Sequence, residues 1–449
     1  MGKYKMLERL GLDRPAEKVS VWKSMSRDEE FERVSEKYPE YPGKLLLKTD
    51  AFRRGVVATD AFVKRTQDPY YSREHSFFQW HAEDLVADTF PMMLQFSDGT
   101  LMGICLAPPE DEPYTLDVID DKMRLMSDGK ELEEVFLLPK PRWYGKKTSR
   151  GTLMETVVTR TGDILYICPN HHCHYWNEGL QCKFCDIDYM ALFSIKMGRG
   201  FRTKVDPEDL YETICEVVKE GGRYHNWFWT GGADPRLAYS GELDFCIDLL
   251  RAVKRGIKDT LGVEVERLPI NLIISPFKKD DLQRLYDEGA SAFGGYLETW
   301  NREQFELNCP GKAKYFGYDE HIKRTLDAVS IFGEGNVNCG HTVGVEMAPP
   351  PYGFAEIDDA VDSTLTGYSF WNDHDICATG TNWKIEPGTV FYKMGATCPP
   401  LEFYAKVDLG RYYLLKDYLK KNGRAISLDQ LGIENFQPFS CYTDFQKFL

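Results

Sequence analysis

Two hydrophobic periods alternate through residues 160–420 of this chain. Short unbroken apolar runs mark strands, and apolar residues three and four apart mark helices. Ile164–Ile167 predicts a first strand. A helix follows from Asp206-Pro207, with Asp as cap, Pro at the first helical position, and Leu210, Ile214, Val217 and Val218 on one face. Gly221-Gly222 closes it. Next come a strand at 227–229, a helix through Leu243, Ile247, Leu250 and Val253, and a strand at 270–274. A short helix bearing Leu282 and Leu285 leads to a strand at 292–297. A helix through Ile322, Leu326 and Val329 leads to a strand at 337–345. A helix at 356–370, a strand at 375–385 and a helical segment at 406–421 complete six β-then-α units. Such alternation requires parallel strands joined by helical crossovers.

The first 150 residues read differently. Residues 1–60 look helical and polar, with Ser26-Arg-Asp-Glu-Glu as an acidic helix start. From about 88 to 160 short strands take over. Ser97-Asp98-Gly99 and Ser127-Asp128-Gly129 are hairpin turns between apolar runs, and Pro139 and Pro141 end that texture. The fold expected is α/β: a partial (β/α)6 TIM-like barrel with an N-terminal α+β extension and a helical C-terminal segment. The divisions fall at 1–150, 151–390 and 391–449, the first with no motif tied to chemistry.

Composition narrows the function classes. The 449 residues are 43% hydrophobic and 28% charged, ordinary for a globular chain with a sizeable core. The net charge of -15 argues against a general affinity for phosphate backbones. Residues 1–60 carry 13 Lys/Arg against 11 Asp/Glu, too even for a nucleic-acid arm. The start, Met1-Gly-Lys-Tyr-Lys, has no apolar core of a signal peptide, and no run reaches membrane-spanning length, so a cytoplasmic location is expected. Eight cysteines (Cys105, Cys215, Cys246, Cys309, Cys339, Cys377, Cys398, Cys441) are scattered without short spacings and read as buried small apolar residues.

The other four cysteines crowd together directly after the first strand: Cys168-Pro-Asn-His-His-Cys173, then Cys182-Lys-Phe-Cys185. Three thiolates on such a loop hold three irons of a cubic 4Fe-4S cluster and leave the fourth iron open to a ligand. The same residues with His171, His172 and His174 also offer a zinc set, which is the bland alternative. In parallel α/β architectures ligands bind at the carboxyl ends of strands. Later strands bring Thr230-Gly231-Gly232-Ala233-Asp234-Pro235, Glu298, and His341 to Glu346 to that same rim.

On these residues the chain resembles the radical S-adenosylmethionine (SAM) superfamily, over roughly residues 155–390. The commonest cluster motif of that family is Cys-x3-Cys-x2-Cys with an aromatic before the last cysteine. Here the spacing is Cys173-x8-Cys182-x2-Cys185, with Phe184 as the aromatic. A similarly stretched loop occurs in the catalytic subunit of the Elongator tRNA-modifying complex, where a preceding cysteine is not a ligand and Gly179 has a counterpart. That likeness implies Cys173, Cys182 and Cys185 as the iron ligands, with Cys168 in place of Cys173 as the rival set. Gly231-Gly232-Ala233-Asp234 is similar to the Gly-Gly-Glu motif that holds the methionine amine, although Asp replaces Glu. Glu298 resembles the acid that bonds the SAM ribose in biotin-synthase-like members. Val343-Gly344-Val345 resembles the fifth-strand segment against adenine, and Phe184 offers a backbone contact to that base.

The resemblance implies an oxygen-sensitive enzyme using a 4Fe-4S cluster and SAM. The reduced cluster splits SAM, and a 5'-deoxyadenosyl radical takes hydrogen from a small-molecule or cofactor-precursor substrate, in group transfer or carbon-skeleton chemistry of a transferase or lyase-like kind. It also implies a one-electron donor such as flavodoxin or ferredoxin. An RNA-modifying enzyme and a zinc-stabilised binding protein are the alternatives. The N-terminal region lacks an Asp-x-His-x-x-Gly string, so cobalamin is not supported. Near Cys398 and Cys441 there is no paired-cysteine spacing of the kind that carries auxiliary clusters in peptide-modifying members.

Overall fold

The computed structural model describes residues 4–72, 90–162, 164–196, 202–221, 224, 226–234, 241–423, 439–441 and 444–445. Gly222 and Pro235, placed above in a helix end and a rim loop, lie outside the described residues. No helix among the described residues is long and apolar enough to cross a membrane.

Two sheets organise the chain. The first contains β1 (Val56–Ala58), β2 (Met93–Phe96), β3 (Leu101–Gly103), β4 (Tyr114–Ile119), β5 (Lys122–Ser127) and β6 (Lys130–Phe136), in the order β1-β4-β5-β6-β2-β3. Both expected hairpin turns are present. Asp128 and Gly129, at φ 45° and 83°, make the two-residue connection of β5 to β6. Positive φ at both central residues gives a turn whose twist matches its strands. The longer 97–100 loop closes β2 on β3, with Asp98 accepting from the Thr100 N–H at 3.0 Å.

The second sheet contains β7 (Val158–Thr161), β8 (Ile164–Ile167), β9 (Asn226–Thr230), β10 (Leu268–Ile273), β11 (Ala290–Gly294), β12 (Val337–Val343) and β13 (Cys377–Asn382). β8 to β13 lie side by side in chain order and all parallel, each pair spanned by at least one helix. This is the expected half-barrel of six units. β7, which the sequence did not mark, runs antiparallel to β8 and forms one edge, with β13 at the other. The strands are buried nearly throughout, as parallel strands covered by helices must be.

Several ends differ from the periodic reading. β11 stops at Gly294, short of the expected 297; Gly295 passes tightly against Thr325, and the chain enters a left-handed bend at Glu298 (φ 78°). β12 stops at Val343, where Gly344 at φ 115° starts a 3-10 turn at Val345–Met347. The last helix begins earlier than 406, at Leu401, and packs through Gly410 against Leu365 of helix Ile357–Asp373.

The N-terminal helices share the barrel's hydrophobic core. Leu7, Leu12, Val34 and Tyr38 belong to one buried cluster with Leu365, Leu401 and the barrel strands. Helix Arg27–Lys37 starts on Ser26 with a capping box, in which Glu29 and Ser26 bond each other's backbone N–H. Helix Gly43–Arg54 is buried on both sides. Leu45 and Leu46 meet the barrel-side core, and Leu47 and Ala51 meet the core under the six-stranded sheet.

Candidate functional site

Beyond the carboxyl ends of β8 to β13 lies a cavity of about 360 Å³. That volume is within the range of sites for cofactor-sized ligands. Cys173, Cys182, Phe184, Cys185, Gly231, Gly232, Ala233, Asp234 and Glu298 all line it, although they come from three separate stretches of chain. Val345 does not. It is fully buried with Trp383 and Phe391, and Phe184 packs on that group, so Phe184 and Trp383 are the members that reach the cavity.

The cysteine loop is clamped from two sides. Gly232 donates its N–H to Asn170 O at 2.7 Å, and His174 donates to Ala233 O at 2.8 Å. A Cβ on Gly231 would sit 2.8 Å from Asn170 O, and one on Gly232 would sit 2.5 Å from His172 O. The two glycines therefore let the loop's backbone pass against theirs, a reason for them that the sequence did not reveal. On the far side, Lys183 N–H bonds Asn308 O at 2.9 Å and Gly311 N–H bonds Leu180 O at 3.0 Å.

Cys168 stands outside this arrangement. It is buried behind Gly231, its thiol facing Asn170 O at 3.5 Å, and it does not line the cavity. The three histidines also face elsewhere. His172 meets Asp188 through Nδ1 at 2.6 Å and Asn177 through Nε2 at 2.9 Å, while Asp188 accepts from Cys173 N–H at 2.7 Å. His174 Nε2 meets Glu178 at 2.9 Å. His171 is buried, and burial alone pushes its proton affinity down to about 3. Among the described residues, no three His, Cys, Asp or Glu side chains converge as a single metal ion requires.

The three cavity thiols act on one another. Burial and the neighbouring Cys182 push Cys173 up to about 12. Burial, then Cys182 and Asp186, push Cys185 up. Cys182 is held down by the Cys309 thiol first, against burial and with help from Lys312. Three ionised sulfurs lining one cavity repel unless a positive group lies among them. An iron–sulfur core is such a group, and it spans more space than a lone ion. The donor set fits that cofactor.

Carboxylates add charge to a wall that also carries Trp229, Phe245, Ile273 and Tyr296. Glu298, at the left-handed bend, accepts from Lys312 Nζ at 2.6 Å and from Thr342 Oγ1 at 2.7 Å. Lys312 also bonds Tyr296 O at 2.7 Å. Glu242 accepts from the Ser275 hydroxyl at 3.2 Å, and burial pushes it up to about 7. Asp186, raised to about 7 by burial, and Glu386, raised by burial and then by Asp186, share the β13 side. Sequence reading missed Lys312, Glu242, Glu386 and Cys309. Glu242 had one cue, an acid at a helix start just after the Gly-Gly loop; the other three lie in no motif.

No family model matches this chain, and no curated protein does. Among solved structures, methylornithine synthase (PylB) matches at 17% identity and a TM-score of 0.39, over 57% of this chain and 66% of that one. The FeFe-hydrogenase maturase HydG from Carboxydothermus hydrogenoformans matches at 11% identity and 0.35, over 57% and 56%. A radical SAM methyltransferase from Sphaerobacter thermophilus matches at 13% identity and 0.37, over 88% and 91%. The chain thus spans less than two thirds of the length of the first two. All three likenesses are distant in sequence and in fold.

Proposed function

We propose that this chain is a radical SAM enzyme acting on a small molecule, with Cys173, Cys182 and Cys185 holding a 4Fe-4S cluster. The observation that carries this reading is convergence. The three cysteines, the Gly231–Asp234 stretch and Glu298 face one cavity at the strand ends, while Cys168 and the histidines do not. In this reading residues 151–390 form the catalytic core, with appended regions at 1–150 and 391–449.

When bound, the cluster and SAM supply a one-electron cleavage of the sulfonium, giving a carbon radical that takes a hydrogen atom from the substrate. The chain's own residues position and shield. Asp234 and the carbonyls of Gly231 to Ala233 accept from the SAM amine. Glu298, oriented by Lys312 and Thr342, accepts from the ribose hydroxyls. A half-buried carboxylate at that place needs such donors to offset its partial desolvation. Phe184 and Trp383, backed by Val345, form the apolar slot for the adenine. The half-barrel wall keeps water and other quenchers away. A flavodoxin- or ferredoxin-type protein supplies the electron, and the reaction is group transfer or carbon-skeleton chemistry.

The test is anaerobic purification with iron and sulfide counts, then SAM cleavage under dithionite. A brown protein that releases 5'-deoxyadenosine is expected. A colourless protein with about one zinc and no iron overturns the reading.

A further inference from the structure

Glu386 lies in the segment after β13, in the wall of the cavity, and it is only 7% exposed. Its Oε1 is sealed from solvent and has no hydrogen-bond partner among the described residues. The three lysines on this cavity do not answer it. Lys312 pairs with Glu298, Lys384 donates to Arg53 O at 2.9 Å, and Lys204 is exposed. A carboxylate covered in this way without a partner costs stability.

The segment that carries it is fixed. Trp383 N–H bonds Val343 O at 2.7 Å, and Phe391 N–H bonds Lys183 O at 3.2 Å. The Thr389 hydroxyl donates to Glu386 O at 2.7 Å, and Gly388 leaves no room for a Cβ beside the Tyr189 ring. These contacts hold residues 386–391 against 183–189, the stretch that contains Cys185 and Asp186. Asp186 lines the cavity as well and has no ion pair among the described residues, so negative charge gathers there.

We propose that Glu386 is a substrate-binding residue that receives a protonated amino group of the substrate. The inference rests on the radical SAM reading, in which Asp234 and Glu298 already serve SAM and leave Glu386 to another cation. A compact ammonium with three N–H donors both bonds and neutralises the unpartnered carboxylate. A single metal ion is ill suited, because no three His, Cys, Asp or Glu side chains converge for one among the described residues. The amino group of adenine is neutral and would leave the charge uncompensated.

The experiment compares full-length wild type, Glu386→Gln and Glu386→Asp, each reconstituted anaerobically and saturated with SAM. The probes are n-butylamine and cadaverine, with n-butanol as the neutral match, and binding is read by equilibrium dialysis. Wild type binds at least one amine about 10- to 100-fold more tightly than n-butanol, as a charge-assisted hydrogen bond provides. Glu386→Gln abolishes that preference, and Glu386→Asp, with its charge on a shorter stem, keeps part of it. SAM binding is unchanged in both. The ligand-free Glu386→Gln chain unfolds at the same or a higher denaturant midpoint than wild type, since an unpaired charge has been removed. Equal binding of amines and n-butanol by wild type, or a preference that survives in Glu386→Gln, overturns the inference. Loss of SAM affinity in Glu386→Gln assigns the residue to SAM and overturns it too. A lowered midpoint, or failure to fold, makes the carboxylate structural and has the same consequence. A wild-type chain that takes up no iron fails the cluster reading, and the dialysis repeated on the metal-free chain still decides whether Glu386 holds an amine.

Discussion

Charge is covered in two regions of this molecule, and the two pair it to different degrees. In the layer between the N-terminal helices and helix Leu401–Lys421, buried charges come with partners. Arg53 bridges Glu30 and Asp50 at 2.5 Å each, and Lys48 reaches Asp444 at 2.6 Å with both side chains fully covered. Glu402 accepts from Trp22, Tyr38 and Lys37 together. In the cavity Glu298 pairs with Lys312, but three further carboxylates have no ion pair among the described residues. Glu242 has neutral partners, Ser275 and a weak Asp234 N–H, Asp186 raises Glu386, and one Glu386 oxygen has no partner among the described residues. Paired burial specifies how segments dock, whereas unpaired burial costs stability that a ligand offsets on binding. The surplus of carboxylate fits the cationic, amine-bearing sulfonium proposed here.

The sharpest way to break this contrast is at the cluster. Cys182→Ser or Cys185→Ser takes iron from about four per chain to near zero and SAM cleavage to background, with the fold retained by circular dichroism. An intact brown, cleaving variant refutes the assignment. Next in size is the docking layer. Lys48→Met removes the buried ammonium that Asp444 meets at 2.6 Å, so denaturant unfolding should show a loss of about 3–5 kcal/mol. SAM cleavage per folded molecule stays unchanged, and a loss under about 1 kcal/mol removes the pairing argument.

Glu298→Gln weakens SAM binding by about 10- to 100-fold, as expected for one charge-assisted hydrogen bond, measured by equilibrium dialysis with the cluster in place. The smallest effect concerns Glu242. Its folded proton affinity, about 7, lies above the ordinary value of 4.5. Its contribution to stability is therefore complete below pH 4.5 and is lost as pH rises through 7. Glu242→Gln should flatten that decline in the ligand-free protein by about 1 kcal/mol, allowing for the residue's partial exposure. Parallel pH curves for the variant and wild type would place the proton elsewhere.

Much of this architecture is legible along the chain. The 2.0 and 3.6 periods separate strands from helices, and their alternation implies parallel order. Asp128-Gly129 and the Ser26 cap are local chemistry, decided within four residues. The cysteine spacing singles out the loop after β8, because metal-binding clusters require their ligands near in sequence or on adjoining strand ends. β7 escaped notice because Val158-Thr-Arg-Thr161 has one apolar residue followed by three polar ones, so no strand period registers although all four are buried.

What the chain determines by itself is therefore whatever rests on neighbours in sequence: the six β-then-α units, the turns and caps, and a loop rich in thiols. Only the folded state decides which cysteine faces the cavity, that Gly231 and Gly232 exist to let two backbones pass, and that Lys312 pairs with Glu298 in the same cavity wall as Cys182. Those relations join residues far apart along the chain. Electrostatics and close packing act through distance in space, and no periodicity records that distance.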